Sequence, residues 1–485
     1  MLRFILCISF IFHLSLSYSQ PKHEIRAVWL TTAYGLDWPK TQSTSPASMR
    51  KQQAEVTDIL DKLKAANINT VLLQTRIRGN LIYRSSYESI SSVFTGQLNG
   101  NPGYDPLKFV IDECHKRGME CHAWIVAFPL GTDKHIKTLG QHSPTRKHPD
   151  LCISYRNEWY MNPGHPDTKS YLMSLVTEII RGYDVDGIHF DYFRYPEHTR
   201  NFPDNREYKR YGKGKNLDEW RRDNLTGILR HIYKGIKEIK PWVKVSSSPV
   251  GKFQNTARYS SKSWNAYSSV YQDVNTWLVE GIQDQLYPMM YFKGNNFYPF
   301  ALDWEERSNG RHIIPGLGIY LLDPKEGNWS SEEVERQLHF IRTTDLEGTA
   351  YYRSGFLVNN VKGLYDKLRD EFYIYPALIP PTPWLDNQKP TKPGKLQARE
   401  INGYTYLNWE PSTDNDPLNQ PKYILYGSDT YPVDIARPDN IIAPYIREDN
   451  YTYAPIYPWQ SKRYYALTAI DRYGNESEPV QAICY

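Results

Sequence analysis

Residues 186–196 contain the side chains of this chain that are best suited to chemistry. They read as a short buried strand that ends in an acid, Asp191, and continues into aromatic and basic residues. Because side chains alternate along a strand, His189 and Asp191 share one face. In a closed parallel barrel that face points inward, and the carboxyl ends of the strands carry the active site. A carboxylate among sugar-stacking aromatic residues predicts glycoside chemistry, with a salt-bridged structural aspartate as the alternative.

Cleavage of a glycosidic bond usually requires a pair of carboxyl groups, ~5–5.5 Å apart for retention or ~6.5–9.5 Å for inversion. We expect Asp191 to act as nucleophile, base or electrostatic stabiliser. The identity of the proton donor is open. Glu197 follows on the same loop and is the first candidate, while Asp37 follows strand one and Asp323 follows strand seven. For each of these three, a solvated loop acid is the alternative interpretation.

A further group of residues at the ends of the predicted strands is expected to bind substrate. Arg76 and Arg78 are placed to hold Asp191 ionised or to bind substrate oxygens, and loop-anchoring ion pairs are the alternative. For His189, filling of an inner barrel layer with a polar contact is favoured. The other candidates for the sugar subsites, with barrel packing as the alternative, are Trp29, His122, Trp124, Tyr291 and Tyr352.

Strand-like and helix-like runs alternate over residues 24–375 and predict an α/β fold. The strand candidates are mostly continuous apolar runs, as in parallel strands covered by helices. They span residues 25–31, 70–76, 120–127, 186–193, 243–247, 284–291, 312–319 and 348–352. Eight strands alternating with helices favour a (β/α)8 TIM barrel. A doubly wound sheet is the alternative, but no glycine-rich phosphate loop follows the first strand.

The pattern changes towards the C-terminus. Residues 376–395 are rich in proline and predict a semi-rigid linker. Over residues 396–485, short strands separated by turn residues suit a small all-β sandwich. Trp409 in an early strand, together with residues 463–478, resembles a fibronectin type III module.

Residues 1–19 predict a secretory signal peptide, because Arg3 precedes an apolar run that ends in small residues. No other run approaches the ~20 apolar residues of a membrane span. We therefore expect an exported protein of the periplasm, the cell surface or the medium. The net charge of +4 does not indicate nucleic-acid binding. Cys114 and Cys121, each followed by a histidine, match no zinc spacing, so neither a metal nor a cofactor is expected.

Several barrel segments resemble the glycosyl hydrolase-like 10 family, a bacterial group of exported (β/α)8 proteins. These segments are residues 24–32, 74–79, 122–124, 162–164 and 186–196. The resemblance implies hydrolysis of glycosidic bonds, with peptidoglycan or another polysaccharide as the substrate. Asp186 belongs to the last segment and is kept as a catalytic candidate, although its place at the start of strand four favours structural hydrogen bonding.

Strand four is also similar to that of family 18 chitinases, which carry acids at alternate inward positions, the last being the proton donor. The corresponding positions here are His189, Asp191 and Phe193, and phenylalanine cannot supply a proton. A chitinase mechanism with the usual donor is therefore excluded. The leading hypothesis is an exported glycoside hydrolase with Asp191 at its centre. The alternative is a non-catalytic carbohydrate-binding barrel that has lost its donor.

Overall fold

A closed parallel barrel forms the larger part of the chain. The computed structural model describes residues 20–197, 199–416, 418–455 and 460–485, so the predicted signal peptide lies outside the described residues. Within these ranges, the barrel strands are β1 (Ile25–Leu30), β2 (Thr70–Ile77), β3 (Glu120–Val126), β4 (Gly187–Asp191), β5 (Lys244–Ser247), β6 (Gln285–Leu286), β7 (His312–Ile313 and Gly316–Leu317) and β8 (Gly348–Tyr351). Helices follow each strand, and the predicted (β/α)8 barrel is confirmed.

The barrel closes through its seventh strand. β1 pairs in parallel with both β2 and β8, and the ladder continues from β2 through β6. In β7, His312–Ile313 pairs with β6 while Gly316–Leu317 pairs with β8. Pro288 and Pro315 lack the N–H group that a continuous ladder needs. For this reason β6 and β7 are shorter and more broken than the predicted runs 284–291 and 312–319.

The helices cover the outside of the barrel with their apolar faces. The helix Pro46–Ala65 begins at Ser45, which forms a capping box with Ser48, and it buries Val56 and Leu60 in the core. None of the helices in the described ranges is both long and apolar enough to cross a membrane. The principal helices after β2 to β8 are Pro106–Lys116, Thr168–Gly182, Leu217–Ile239, Val274–Val279, Tyr298–Glu306, Ser331–Ile341 and Leu364–Lys367. Shorter helices are Asp133–Leu139, Pro144–Lys147, Asn205–Tyr211, Ala266–Ser269 and Ser354–Val358.

Polar and aromatic side chains fill the inside of the barrel in layers. The register of β3 against β4 places Trp124 beside His189, and Val126 beside Asp191 one layer higher. Phe190, between these two β4 residues, belongs to the apolar core between strands and helices. The inner face of β4 therefore presents a histidine below an aspartate at the carboxyl end of the barrel.

The connection between β3 and its helix carries a small sheet of its own. Its antiparallel strands run in the order Pro129–Thr132, Glu158–Met161 and Cys152–Tyr155. After β2, the short strands Asn80–Leu81 and Ser89–Ile90 extend the barrel sheet. Both insertions lie at the carboxyl ends of the strands, and the small sheet supplies Pro129, Tyr155, Glu158 and Tyr160 to the cleft described below.

The C-terminal residues form an antiparallel all-β domain, as predicted. One sheet consists of Gly394–Ile401, Tyr404–Glu410 and Asn450–Tyr453, and the other consists of Ile441–Ile446, Lys422–Ser428, Tyr464–Ile470 and Val480–Ile483. Trp409 and Leu425 pack in the core between them. The more specific likeness to a fibronectin type III module stays a prediction.

Contacts with both domains hold the proline-rich segment in place. The backbone of Leu378 pairs with Lys22 and Glu24 just before β1. The next residue, Ile379, donates its N–H to the Tyr445 hydroxyl of the sandwich at 2.8 Å. Further along, the Trp384 indole donates to Asp284 at the amino end of the barrel. The segment thus lies between the barrel and the sandwich and is bound to each of them.

We predict that Gly187→Ala destabilises the barrel by about 1–3 kcal/mol, the usual cost of overpacking. A Cβ atom at residue 187 would lie 2.5 Å from the His122 imidazole, which is fully buried. The matched control is Gly227→Ala in the helix Leu217–Ile239, where no atom lies within 4 Å of the added Cβ. Alanine there is expected to raise stability by about 0.5–1 kcal/mol. Thermal unfolding midpoints of both variants test this, and equal midpoints would contradict the close packing at Gly187.

Candidate active site

A cleft of about 500 Å³ opens at the carboxyl ends of the barrel strands. Its lining includes residues at the ends of β1, β2, β3, β4 and β8, namely Thr31, Gln74, Trp124, Asp191 and Tyr352. Arginine and tyrosine side chains from the connecting loops form much of the rest, namely Arg78, Tyr155, Arg156, Tyr160, Tyr192 and Arg194. Aromatic faces beside polar groups suit the binding of carbohydrate.

Asp191 is the last residue of β4 and is 6% exposed in this cleft. Its Oδ1 accepts hydrogen bonds from the Tyr192 N–H at 2.7 Å and from the Ser248 hydroxyl at 3.0 Å. Its Oδ2 accepts one from the Trp124 indole N–H at 3.2 Å. Burial raises the pKa of the Asp191 carboxyl, and the three donors together with the positive charge of Arg194 oppose that rise by stabilising the ionised form. Oδ2, with a single long hydrogen bond, retains free acceptor capacity.

The backbone turns sharply directly after Asp191. Tyr192 has a φ of 48°, in the left-handed region that residues with side chains rarely adopt. The strand therefore ends at Asp191, and the alternation of side chains does not continue beyond it. Tyr192 lines the cleft and is 43% exposed. This turn also aims the Tyr192 N–H at the Asp191 carboxylate.

Phe193, placed by the sequence comparison at the donor position of the cleft, does not lie there. It is 1% exposed and packs against Phe128, Phe190 and Trp277 in the core outside the barrel. The left-handed turn at Tyr192 breaks the alternation on which the inward placement of Phe193 depended. A phenylalanine at this position is therefore no sign that the cleft has lost an acid.

Two glutamates share the cleft with Asp191. Glu197 lines it with a half-exposed side chain, and its Oε1 lies 3.8 Å from the Arg194 guanidinium. Glu158, on the small sheet after β3, also lines the cleft and accepts a hydrogen bond from the Tyr160 hydroxyl at 2.9 Å. The cleft thus contains candidates for the second carboxyl group that glycosidic cleavage requires.

The other two acids considered as donors have structural partners instead. Asp37 is buried, pairs with Arg353 and accepts hydrogen bonds from the backbone N–H groups of Thr31 and Gly355. Asp323 accepts the Lys325 N–H within its own loop. Neither carboxylate lines the cleft.

A hydrogen-bonded layer of side chains supports the cleft floor from below. Trp29 is 1% exposed and donates its indole N–H to His189 Nε2 at 3.1 Å. Because an indole only donates, Nε2 is the acceptor and the neutral ring carries its proton on Nδ1. His189 Nδ1 lies 2.9 Å from the Ser246 hydroxyl. Burial holds the pKa of His189 well below its ordinary value, so the ring is neutral. Trp29 and His189 therefore fill the barrel beneath the cleft.

Tyr352 and Tyr291 stand on the β8 and β6 side of the site. Their rings stack with centroids 5.6 Å apart, and Trp29 contacts the Tyr352 ring edge-on. Tyr352 lines the cleft together with Trp124, whereas Tyr291 lies behind it against Tyr320. Of the predicted sugar-contacting aromatics, Trp124 and Tyr352 therefore lie at the cleft surface.

Comparison with known proteins places this chain in a family. Residues 24–321, more than half of the sequence, match the family described as Glycosyl hydrolase-like 10. The chain belongs to this family. Membership supports a glycosidase-like function with carbohydrate as the substrate, in keeping with the acidic and aromatic cleft.

Two similar proteins carry the name glycosyl hydrolase. The chain is 31% identical over 482 residues to "Glycosyl hydrolase YngK" of Bacillus subtilis (strain 168), covering 95% of this chain and 93% of the relative. It is 32% identical over 371 residues to "Glycosyl hydrolase DigH" of Escherichia coli (strain K12), covering 70% of this chain and 84% of that protein.

Among solved structures, it is similar to the PgaB (BpsB) glycoside hydrolase domain from Bordetella bronchiseptica, with 16% identity and a TM-score of 0.47 over 72% of this chain and 98% of that domain.

In this member of the glycosyl hydrolase-like 10 family, the two arginines near the end of β2 differ in position. Arg76 is fully buried, forms a bidentate ion pair with Glu88, and donates to the carbonyl groups of Val126 and Ala127. Because its N–H groups are occupied, the prediction that Arg76 contacts substrate is wrong. Arg76 instead supports the end of β3. Arg78 lines the cleft, has a φ of 53°, and hydrogen-bonds to Tyr34.

His122 and Asp186 lie towards the opposite end of the barrel. His122 Nε2 contacts Glu120, which also pairs with Lys244 at 2.5 Å. Asp186 precedes β4, accepts the Cys121 N–H, and lies 2.8 Å from the His115 ring. Asp186 and Asp191 are five residue steps apart along the strand, roughly 16 Å. These positions correct both predictions, because neither side chain reaches a substrate that touches Asp191.

Sequence reasoning missed several contributors to the site, among them Arg194, Glu158, Ser248 and Tyr192. Glu158 lies on a hairpin whose strands were not predicted from the sequence pattern. Ser248 follows β5 and belongs to no recognisable sequence motif. Tyr192 lies within the highlighted segment, but a left-handed turn at a tyrosine leaves no mark in the sequence. Within the described ranges, no group of three or more His, Cys, Asp or Glu side chains is arranged to hold a metal ion.

We predict that Arg76→Met destabilises the protein by about 3–5 kcal/mol, because it leaves the buried Glu88 carboxylate without its partner. The double variant Arg76→Met/Glu88→Leu removes both charges and is expected to recover much of that loss. Denaturant unfolding of the two variants beside the wild type measures the difference. A stable Arg76→Met variant with weakened glycan binding would instead restore Arg76 as a substrate contact.

Proposed function

We propose that this protein is an exported glycoside hydrolase that cleaves glycosidic bonds in a bacterial cell-wall glycan or another polysaccharide, with Asp191 as the key catalytic carboxylate. The observation that carries the proposal is the position of Asp191, at the carboxyl end of β4 in an aromatic cleft. Membership of the glycosyl hydrolase-like 10 family supports the reaction class. The predicted signal peptide supports export.

The hydrogen bonds of Asp191 favour its ionised form as the reacting species. Two donors converge on Oδ1, from Tyr192 and Ser248, and they fix the orientation of the carboxylate. Oδ2 is left to face the sugar, either as a nucleophile towards the anomeric carbon or as a base towards a water molecule. The negative charge would also stabilise a developing oxocarbenium ion.

Protonation of the leaving oxygen falls to a second acid in this proposal. Glu197 is the first candidate, and Glu158 joins it because it lines the same cleft. A general acid contributes mainly when the leaving group is poor, since an activated aryl leaving group departs without a proton. Activity on an aryl glycoside therefore distinguishes the proton donor from residues that only bind substrate.

The first prediction of this proposal concerns Asp191→Asn. Purified wild-type protein is expected to release oligosaccharides from one of three glycan preparations: peptidoglycan freed of its peptides, chitin oligomers or neutral polysaccharides. Asp191→Asn is expected to reduce kcat/KM by about 10³-fold or more on that glycan. Asp323→Asn, an acid on the β7 loop outside the cleft, is the matched control and is expected to keep its activity.

Equal release by the Asp191→Asn variant would refute the role of Asp191. Release from none of the glycans, with binding retained, would favour a carbohydrate-binding barrel. Glu197→Gln and Glu158→Gln separate the donor candidates: the donor variant is expected to lose natural-substrate activity and to retain activity on an aryl glycoside. A variant that loses both activities equally has lost binding or folding instead.

The second prediction concerns pH. The Ser248 hydrogen bond lowers the pKa of Asp191, so Ser248→Ala raises that pKa further. Because the proposed role requires the ionised carboxylate, the acidic limb of the kcat/KM profile is expected to move to higher pH. Ser246→Ala, which removes the hydroxyl beside His189, is the control and should leave that limb in place. Movement of the alkaline limb would instead identify Asp191 as the proton donor.

A further inference from the structure

Arg194 is a buried cation whose N–H groups donate to none of the residues that the structure describes. Its side chain is 5% exposed, and it lines the cleft together with Asp191. The guanidinium lies over the Tyr192 ring at 4.6 Å and over the Trp264 ring at 5.2 Å. These two aromatic contacts hold the planar group without occupying any N–H.

No hydrogen bond from Arg194 reaches an acceptor anywhere in the described ranges, and its buried Nε has no partner. The nearest carboxylate oxygen, on Glu197, lies 3.8 Å away, beyond hydrogen-bond range, on a side chain that is 54% exposed. An exposed ion pair at this distance contributes little. The charge of Arg194 is thus balanced without direct contact, by Asp191 and Glu197, while its N–H groups have no acceptor among the described residues.

Other buried arginines of this chain show what a structural arginine looks like. Arg26, Arg76 and Arg221 each pair with a carboxylate at 2.5–2.8 Å, on Glu24, Glu88 and Asp204 respectively. Arg221 also donates to carbonyl oxygens of neighbouring loops. Among residues 20–197 and the other described ranges, Arg194 has neither a carboxylate this close nor a carbonyl acceptor, and it differs from these three in facing the cleft.

We propose that Arg194 is a specificity-determining substrate contact, which takes a carboxylate carried by a sugar unit next to the cleaved bond. The inference rests on the proposed function, since it assigns a substrate class to the same cleft. The fixed planar guanidinium offers parallel N–H groups that match the paired oxygens of a carboxylate. A carboxylate would accept the N–H groups that no described residue accepts. Neutral hydroxyl groups would also accept these hydrogen bonds, but the bonds would be weaker than those to an ionised acceptor.

The test compares two forms of one ligand. The probe is a tetrasaccharide from peptidoglycan freed of its peptides, in which alternate sugars carry a free carboxylate, beside the same tetrasaccharide with its carboxylates reduced to alcohols. Titration calorimetry measures both Kd values on Asp191→Asn, which does not consume the ligand. The carboxylated form is expected to bind about 10- to 100-fold more tightly, the range of a charge-assisted hydrogen bond.

Matched variants assign that preference to Arg194. In Asp191→Asn/Arg194→Met the ratio of the two Kd values is expected to fall towards one. In Asp191→Asn/Arg194→Lys it is expected to be intermediate, because lysine keeps the charge but lacks the paired N–H groups of the guanidinium. The control Asp191→Asn/Arg50→Met removes an exposed arginine of the helix Pro46–Ala65 and should keep the full ratio. Thermal unfolding of each variant confirms folding, and the lysine variant serves if the methionine variant does not fold.

Three results would overturn the assignment to Arg194. They are equal affinity of Asp191→Asn for both ligands, no measurable binding of the carboxylated form at millimolar concentration, and an unchanged ratio in the Arg194 variants. Hydrolysis by the wild type is measured separately. If the two Kd values are equal but the wild type hydrolyses the glycan, only this inference is refuted. If the Kd values differ as expected but no hydrolysis occurs, only the proposed function is refuted.

Discussion

The organisation of this molecule depends on one buried carboxylate at the end of a barrel strand. Asp191 is nearly enclosed, and removal of a charge from water is unfavourable unless donors replace the lost solvent. Three donors do so, from the turn after β4, from the residue after β5, and from within β3. These donors lower a pKa that burial raises, and they reach the acid only while neighbouring strands keep their register. A left-handed Tyr192 follows from the same constraint, because it directs its N–H at the acid.

The rest of the barrel supports that arrangement in layers. Beneath the acid, Trp29 and Ser246 hold His189 as a neutral ring of defined tautomer. At the far end, Asp186 joins the start of β4 to β3 through the Cys121 N–H, close to the sandwich domain. The acids at the two ends of β4 thus differ: Asp186 accepts a backbone N–H and contacts the His115 ring, while Asp191 faces a cleft.

Much of this architecture was predictable from the sequence, for physical reasons. Parallel strands that are covered on both faces need continuous apolar runs. The positions of the strands, and the inward direction of the Asp191 side chain, could therefore be predicted. Prolines shortened β6 and β7 more than the apolar pattern suggested. The role of Arg76 depends on Glu88, a partner twelve residues away in a loop. The left-handed turn at Tyr192, which directs Phe193 into the core, could not be predicted because no glycine marks it in the sequence.

The measurement that tests the central claim most directly is a crystal structure of the Asp191→Asn variant with a bound oligosaccharide. We expect a glycosidic oxygen or anomeric carbon within about 3.5 Å of the substituted side chain at position 191, the distance of a near-attack arrangement. We also expect a sugar ring against Tyr192. An oligosaccharide seated elsewhere on the barrel or on the sandwich, with position 191 untouched, would contradict the central role of this carboxylate.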